Sequence, residues 1–354
     1  PPFAMRHQYA ALLATCLLGS ASALLQEVSP SLCDADVQQY SGYFTLTTGT
    51  KLAQKHYFYW FFEARNQPET APVLLWMTGG PGCSSAVALF GENGPCSVNA
   101  NGTGTISNPY SWNAKANVLY IDQPTGTGFS YGLGLDFGEK AVAKDMYSFL
   151  QLFFKAHGKY AALPFYAFGE SYAGHYVPAV THQIWLNNRQ LPPGALRINL
   201  VGTAVGNGLT DPQIQYGYYA DMAASTNHHK PAVGKVVHAA MKAATGPCVS
   251  LIAACQSNVT ACVLATDLCN AGLLIPYELT GLNPYDMRVK CAKPPLCYDF
   301  SNVGVYLDRP DVKATLGVDA KRRWTDCNRA VAVGFELDGD WMHDYQQMLP
   351  DQLA

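Results

Sequence analysis

The sequence carries little charge of either sign. Of its 354 residues, 23 are lysine or arginine and 26 are aspartate or glutamate, which gives a net charge of -3. Such a chain has no electrostatic reason to bind nucleic acid or an anionic membrane. The one basic run, 321–323, is interpreted as a solvated surface. We therefore expect no nucleic-acid partner and, once any leader is removed, no membrane partner.

Two common cofactor motifs are missing. The glycine-rich segment 78–85 lacks the lysine that a nucleotide-binding loop of the form G-x-x-x-x-G-K-[ST] requires. None of the 11 cysteines has the close C-x-x-C spacing that structural zinc sites usually show. We therefore predict that the protein uses no cofactor and no metal.

The composition and the element pattern favour one large α/β domain. Hydrophobic residues make up 49% of the chain, enough for a sizeable core. Residues 24–211 are predicted to form the N-terminal part of this core, 212–300 an inserted cap that contains clustered cysteines, and 301–354 a return to the core. A mainly parallel sheet with helices on both faces follows from alternating strands and helices. The predicted strands are 40–46, 56–63, 72–77, 116–122, 165–168 and 199–205, and a helix is predicted at 141–157.

The N-terminus has the features of a signal peptide. Arg6 and His7 precede the apolar run 9–18, which is too short to span a bilayer, and 21–23 reads Ala-Ser-Ala. We expect cleavage after Ala23, hence a signal peptide at 1–23, and Met5 as the start. The alternative is an apolar first helix of the fold.

The cysteines agree with a secretory route, because ten remain after Cys16 leaves with the leader. Four of them, at 248, 255, 262 and 269, recur every seven residues. On one continuous helix, cysteines seven residues apart would be too distant to form a disulfide. An antiparallel hairpin that turns near Asn258 instead pairs Cys255 with Cys262 and Cys248 with Cys269. Cys291 and Cys297 would close a short loop. The N-x-S/T sequons at Asn101 and Asn258 predict glycosylation.

The segment 165–176 predicts a strand, a sharp turn and a helix. Phe165 to Phe168 are apolar, and small residues follow Ser171, so a helix can begin at once. A serine at such a turn projects its hydroxyl beside backbone N–H groups that can stabilise an oxyanion. Ser171 is therefore the candidate nucleophile, although the G-x-S-x-G pattern has alanine in its fifth position. The alternative is a serine that caps a helix.

A second glycine-rich turn follows the strand 72–77. Glycines at 79, 80 and 82 let the backbone approach a ligand closely and direct N–H groups at a developing negative charge. This turn is the candidate for the second half of an oxyanion hole.

Seven motifs together resemble the serine carboxypeptidase family, over residues 36–354. They are 76–85 (WMTGGPGCSS), 108–113 (NPYSWN), 122–124 (DQP), 128–131 (GFSY), 169–178 (GESYAGHYVP), 206–212 (GNGLTDP) and 339–342 (GDWM). The resemblance implies an α/β-hydrolase fold and the removal of single residues from the C-termini of peptide substrates in an acidic compartment. The leader is equally compatible with a vacuole or lysosome and with secretion.

The resemblance also implies roles for individual residues. Ser171 is implied as the nucleophile, and the N–H groups of Gly80 and Tyr172 as the oxyanion hole. Four further residues are implied to bind the substrate's terminal carboxylate: Thr78, Gly79, Glu92 and Glu170. At least one of the two glutamates needs a raised pKa, because two neighbouring carboxyl groups cannot both ionise cheaply. The family usually has asparagine where this chain has Thr78, and a hydroxyl offers one donor rather than two.

The resemblance pairs Cys83 with Cys327 and supports the three pairs named above. Cys33 and Cys96 are then left over, and we expect them to pair.

The triad partners of the serine are missing. In the fold that the resemblance implies, the Asp and the His follow the serine, and the resemblance places both beyond the 339–342 segment. The histidine left in that region, His343, belongs to a predicted helix, and His175 matches a structural residue of the family. We therefore expect a truncated chain that lacks the final strands and helix and is inactive alone.

Three hypotheses follow from this reading. The favoured one is a serine carboxypeptidase whose last segment is absent from this sequence. The second is a family member recruited for acyl transfer between small molecules. The third is a non-catalytic binding or protective protein on the same scaffold.

Overall fold

The computed structural model describes residues 25–47, 54–224, 230–294 and 296–353. The expected signal peptide, 1–23, lies outside these residues and stays a prediction.

Ten strands are assigned within the described residues. They are β1 (Leu25–Val28), β2 (Gln39–Thr47), β3 (Gln54–Phe62), β4 (Val73–Met77), β5 (Cys96–Val98), β6 (Thr105–Ser107), β7 (Asn117–Ile121), β8 (Tyr131–Gly132), β9 (Phe165–Glu170) and β10 (Leu200–Gly206).

The helices of the described part follow in chain order. They are α1 (Ala86–Gly91), α2 (Glu139–Ala156), α3 (Ala173–Arg189), α4 (Pro212–Tyr216), α5 (Tyr219–Ala224), α6 (Lys235–Cys255), α7 (Val259–Cys269), α8 (Ile275–Glu278), α9 (Ser301–Leu307), α10 (Pro310–Leu316), α11 (Arg329–Asp338) and α12 (Leu349–Leu353).

The central sheet is mixed and has the order β1-β2-β3-β7-β4-β9-β10, with β8 paired to β3. Its β1-β2-β3-β7 half is antiparallel, whereas β7, β4, β9 and β10 run parallel. The register pairs Met77 with Gly169 and Glu170 with Gly206, so three parallel strands end side by side. The α/β fold predicted from the sequence is confirmed.

Helices cover both faces of the sheet. Along β4, Val73, Leu75 and Met77 lie in one core, which includes side chains of α2, α3 and α11. Leu74 and Trp76 lie in the other core, with side chains of α1, α9 and α10. The unbroken apolar run of β4 is explained by this burial on both faces.

A third core lies under helices α4 to α8. Helices α6 and α7 form an antiparallel pair joined by the Cys248–Cys269 and Cys255–Cys262 disulfides. By length and composition, α6 and the segment Val259–Glu278 could each cross a membrane. The bounds of the cap, 212–300, and the absence of a membrane partner stay predictions.

Five disulfides are present in the described residues, and their pairs are those named from the sequence. They are Cys33–Cys96, Cys83–Cys327, Cys248–Cys269, Cys255–Cys262 and Cys291–Cys297. Asn101 and Asn258 are both exposed, and their glycosylation stays a prediction.

The prediction of a helix that follows Gly339 and includes His343 is wrong, because the helical segment there ends at Met342. Gly339 has a φ of 82° and ends α11, a helix that the sequence reading missed. Asp340–Met342 form a single 3-10 turn, after which His343 is extended with ψ at 145°. The buried Asp340 carboxylate binds two tyrosine hydroxyls, and these bonds hold the chain in this tight turn.

Candidate active site

Ser171 lies between the end of β9 and the start of α3, in a left-handed backbone conformation with φ at 62°. Such a conformation costs a non-glycine residue about 1–3 kcal/mol, so surrounding contacts must enforce it. The Ser171 N–H donates to the Gly206 carbonyl at 3.0 Å, and the Ser171 carbonyl accepts from the N–H groups of Gly174 and Leu209, each at 3.0 Å. These bonds tie the turn to its own helix and to the segment after β10.

Small residues around the turn are required by close backbone approach. A Cβ on Gly169 would lie 2.6 Å from the Met77 carbonyl oxygen, and one on Gly174 would lie 2.4 Å from the Leu209 carbonyl oxygen. Glycine at 169 therefore lets β9 lie close to the end of β4, and glycine at 174 lets the start of α3 approach the segment after β10. Ser171 itself is half-buried, and its hydroxyl has no hydrogen-bond partner among the described residues.

The glycine-rich turn after β4 lies against this serine turn. A Cβ on Gly79 would lie 2.4 Å from the Tyr172 backbone nitrogen. Gly80 has a φ of 113°, which only glycine adopts readily. Within the described part of the chain, the N–H groups of Gly80 and Tyr172 have no acceptor. Two free N–H donors are thus present in the two adjoining turns.

A disulfide and buried hydrogen bonds fix the glycine-rich turn to the rest of the fold. Cys83 is joined to Cys327, and the Ser84 hydroxyl donates to Asp122 at 2.6 Å. The Trp324 indole donates to the Ser84 oxygen at 3.0 Å. Burial raises the pKa of Asp122 to about 6, and the bonds from Ser84 and the Phe129 N–H oppose this rise. The sequence shows Asp122 only as part of a motif, whereas the structure shows that its carboxylate anchors the glycine-rich turn through Ser84.

Two glutamates meet at one side of the turns. Glu92 follows α1, Glu170 ends β9, and their carboxyl groups are hydrogen-bonded to each other. Although the Glu92 side chain as a whole reaches solvent, partial burial and then the contact with Glu170 raise the pKa of its carboxyl group well above the usual range. Thr78 is half-buried at the end of β4, and its oxygen accepts from the Trp76 indole at 3.1 Å.

A cavity of about 480 Å³ lies between the end of β10 and the helices after it, and its walls are mainly apolar but include Glu278, Asp286 and Arg288. Asn207 lies on its sheet side, and Tyr219, Leu273, Tyr277 and Tyr285 are among the residues on its other walls. Burial and then the negative charge of Glu170 raise the pKa of Tyr285, which is one of the residues that line the cavity.

The two histidines considered from the sequence have other contacts. His175 is buried and its Nδ1 donates to the Leu209 carbonyl at 2.6 Å, while burial lowers its pKa. The His343 Nε2 lies 3.9 Å from the Cys262 sulfur. His343, Cys255 and Cys262 have the spacing of metal ligands, but the two cysteines form a disulfide and offer no thiolate.

Comparison with known proteins gives consistent relatives. The model of the serine carboxypeptidase family matches residues 30–354. Carboxypeptidase Y homolog A of Trichophyton tonsurans is 42% identical over 324 residues, which cover 90% of this chain and 58% of that protein. Carboxypeptidase Y of Candida albicans is 42% identical over 320 residues, 90% of this chain and 57% of that protein.

A solved structure agrees in fold. The prohormone-processing carboxypeptidase Kex1(delta)p of Saccharomyces cerevisiae superposes with a TM-score of 0.78 at 26% identity, covering 92% of this chain and 75% of that chain. The chain thus spans a little under three fifths of the length of the curated relatives it matches. On the family match and these identities, the chain belongs to the serine carboxypeptidase family.

Proposed function

We propose that the complete protein is a serine carboxypeptidase that releases C-terminal residues from peptides through an acyl-enzyme at Ser171. One observation carries this proposal: among the residues that the structure describes, the hydroxyl of half-buried Ser171 has no hydrogen-bond partner, and the Gly80 and Tyr172 N–H groups of the two adjoining turns have no acceptor. Donors that are fixed before the reaction stabilise the oxyanion without reorganisation, which is usually the largest catalytic contribution.

The glutamate pair supports recognition of a free C-terminus. A protonated carboxyl group can donate a hydrogen bond to the substrate carboxylate, whereas an ionised pair would repel it. We therefore assign Glu92, Glu170, Gly79 and Thr78 to binding of the terminal carboxylate. The apolar cavity beside Asn207 would receive a substrate side chain, since apolar walls with few polar groups are typical of such sites.

A pH dependence of substrate binding follows from this assignment. Because the pKa of Glu92 is raised, the pair keeps a proton at acidic pH and loses it as the pH rises through a window between the ordinary glutamate value and about 8. Above that pKa, the KM of a peptide with a free carboxylate should rise by about tenfold per pH unit. Steady-state kinetics between pH 4 and about 9 measure this rise.

A peptide amide of the same sequence is the matched control for the pH effect. It has no terminal carboxylate, so its KM should not follow the ionisation of Glu92. A KM that rises equally for acid and amide would contradict the carboxylate assignment. Glu92→Gln should remove much of the pH dependence for the acid, because an amide side chain does not ionise.

We propose further that the triad Asp and His come from a segment outside these 354 residues. Two facts support this: the chain matches only 58% of its relatives' length, and no described side chain bonds the Ser171 hydroxyl. The edge strand β10 is also exposed, with Val201 at 54% and Val205 at 37%, which leaves it open to further strands.

Disulfides and sequons support a secretory compartment, acidic or extracellular.

A comparison of lengths tests this second proposal. The 354-residue chain should hydrolyse a blocked dipeptide at acidic pH at least about a thousandfold more slowly than the complete protein, because the serine lacks its base. Acyl exchange with an added alcohol, measured in parallel, separates a peptidase from an acyltransferase. Equal rates for the two lengths would show that residues 1–354 hold the base.

A further inference from the structure

A buried carboxylate lies beneath the turn that carries Ser171. Asp340 is 3% exposed and accepts three hydrogen bonds from three separate segments. The Tyr172 hydroxyl donates to Oδ2 at 2.6 Å, the Tyr345 hydroxyl to Oδ1 at 2.6 Å, and the Glu139 N–H to Oδ1 at 3.1 Å. The start of α2, the serine turn and the C-terminal segment therefore meet on one side chain.

Glu139, whose backbone N–H donates to Asp340, belongs to the same buried cluster. Glu139 is 1% exposed and its two carboxyl oxygens have no hydrogen-bond partner. Burial, and then the nearby Asp340, raise the pKa of Glu139 far above its usual range, so Glu139 is neutral. Asp340 accepts all three hydrogen bonds, whereas the Glu139 carboxyl group makes none within the described residues.

The same cluster contacts both halves of the proposed oxyanion hole. Tyr172 supplies one N–H from its backbone, while its ring stacks on His175 at 4.5 Å and packs against Trp341 at 5.1 Å. The Tyr176 hydroxyl accepts the Gly82 N–H at 3.3 Å and thereby holds the glycine-rich turn. The Tyr176 ring is fully buried and packs against the Tyr172 ring, with 5.4 Å between the ring centroids.

We propose that Asp340 is a positioning residue, which fixes the Tyr172 side chain and thereby orients the Tyr172 N–H toward the oxyanion. Tyr172 follows Ser171 directly, so rotation of its ring and backbone would move that N–H. A hydrogen bond from its hydroxyl to a buried acceptor, which two further hydrogen bonds hold in place, limits this rotation. The inference rests on the proposed function at Ser171, and it assigns a role in the reaction to a residue that touches neither substrate nor reacting atoms.

Two tyrosine variants of the complete protein make the test. Tyr172→Phe and Tyr345→Phe each remove one hydroxyl bound at 2.6 Å to the same carboxylate. Only Tyr172 also carries an oxyanion N–H. We expect similar falls in melting temperature for both variants. Tyr172→Phe should lower kcat by about tenfold at unchanged KM, whereas Tyr345→Phe should change kcat by less than about twofold.

Affinity for a peptide aldehyde gives a second readout. The aldehyde forms a tetrahedral adduct with the serine, so its affinity reports contacts made to the oxyanion. In Tyr172→Phe, the affinity for the aldehyde should fall by the same factor as kcat, whereas the affinity for a product peptide should not change. Equal kcat and aldehyde affinity in wild type and Tyr172→Phe, or equal losses in both variants, would overturn the inference alone. A folded wild type that does not react with a serine-directed phosphonate would overturn the proposed function, and this inference with it.

Discussion

Replacing Ser171 by alanine in the complete protein should lower kcat for a blocked dipeptide on the order of a millionfold, to the level supplied by binding and the oxyanion hole. In the proposed reaction the Ser171 hydroxyl forms the acyl-enzyme, and alanine has no group that can replace it. KM should change little, because alanine leaves the carboxylate contacts in place. Initial-rate kinetics at acidic pH measure both parameters.

Ser148→Ala is the matched control for this substitution. Ser148 is exposed on α2, and its hydroxyl bonds only the Lys144 carbonyl within its own helix. We expect wild-type kcat and melting temperature for that variant. If Ser171→Ala retained even one hundredth of the wild-type kcat, the barrier would have risen by only about 3 kcal/mol instead of the roughly 8 kcal/mol of a millionfold loss, and Ser171 would not be the nucleophile.

Gly79→Ala should have the second largest effect, a fall in kcat/KM of about a hundredfold to a thousandfold. The added Cβ would lie 2.4 Å from the Tyr172 nitrogen and 2.6 Å from the Glu170 carbonyl oxygen. Both are backbone atoms, which no change of rotamer can move. The turns must separate, so the Gly80 and Tyr172 N–H groups would no longer converge. Strain should also destabilise the fold by about 1–3 kcal/mol.

Gly158→Ala is the control for the glycine substitution. A Cβ there meets no heavy atom within 4 Å, and Gly158 begins a 3-10 helix remote in sequence from both turns. Urea unfolding and kinetics should give wild-type values. A fully active Gly79→Ala variant would show that the two turns need not touch for catalysis.

Local sequence was enough to predict the serine turn. A short apolar strand, a serine and small residues can pack closely only as a strand, a sharp bend and a helix, and the left-handed Ser171 agrees with this. The cysteine spacing of seven predicted the α6–α7 pair for a similar reason, since i and i+7 cannot be bridged on one helix. Both inferences depend on residues close together in the chain.

Contacts between distant residues could not be predicted in this way. Tyr172 and Asp340 are 168 positions apart, and neither residue type by itself predicts a buried bond. Glu139 would be taken for an ordinary acidic residue at a helix start, because nothing near it in sequence indicates burial. Helix α11 was missed because it is short, contains Gly334 in its interior and lies between two irregular segments, although six of its ten residues are apolar. Tertiary packing decides each of these features.

The most direct test of the account is to locate the covalent label. The complete protein is treated with a serine-directed phosphonate at acidic pH, digested, and its modified peptide identified by mass spectrometry. The account predicts one phosphonate per chain, on Ser171, and none in Ser171→Ala. A label on any other serine, or labelling that survives the substitution, would contradict the assignment of Ser171 as nucleophile.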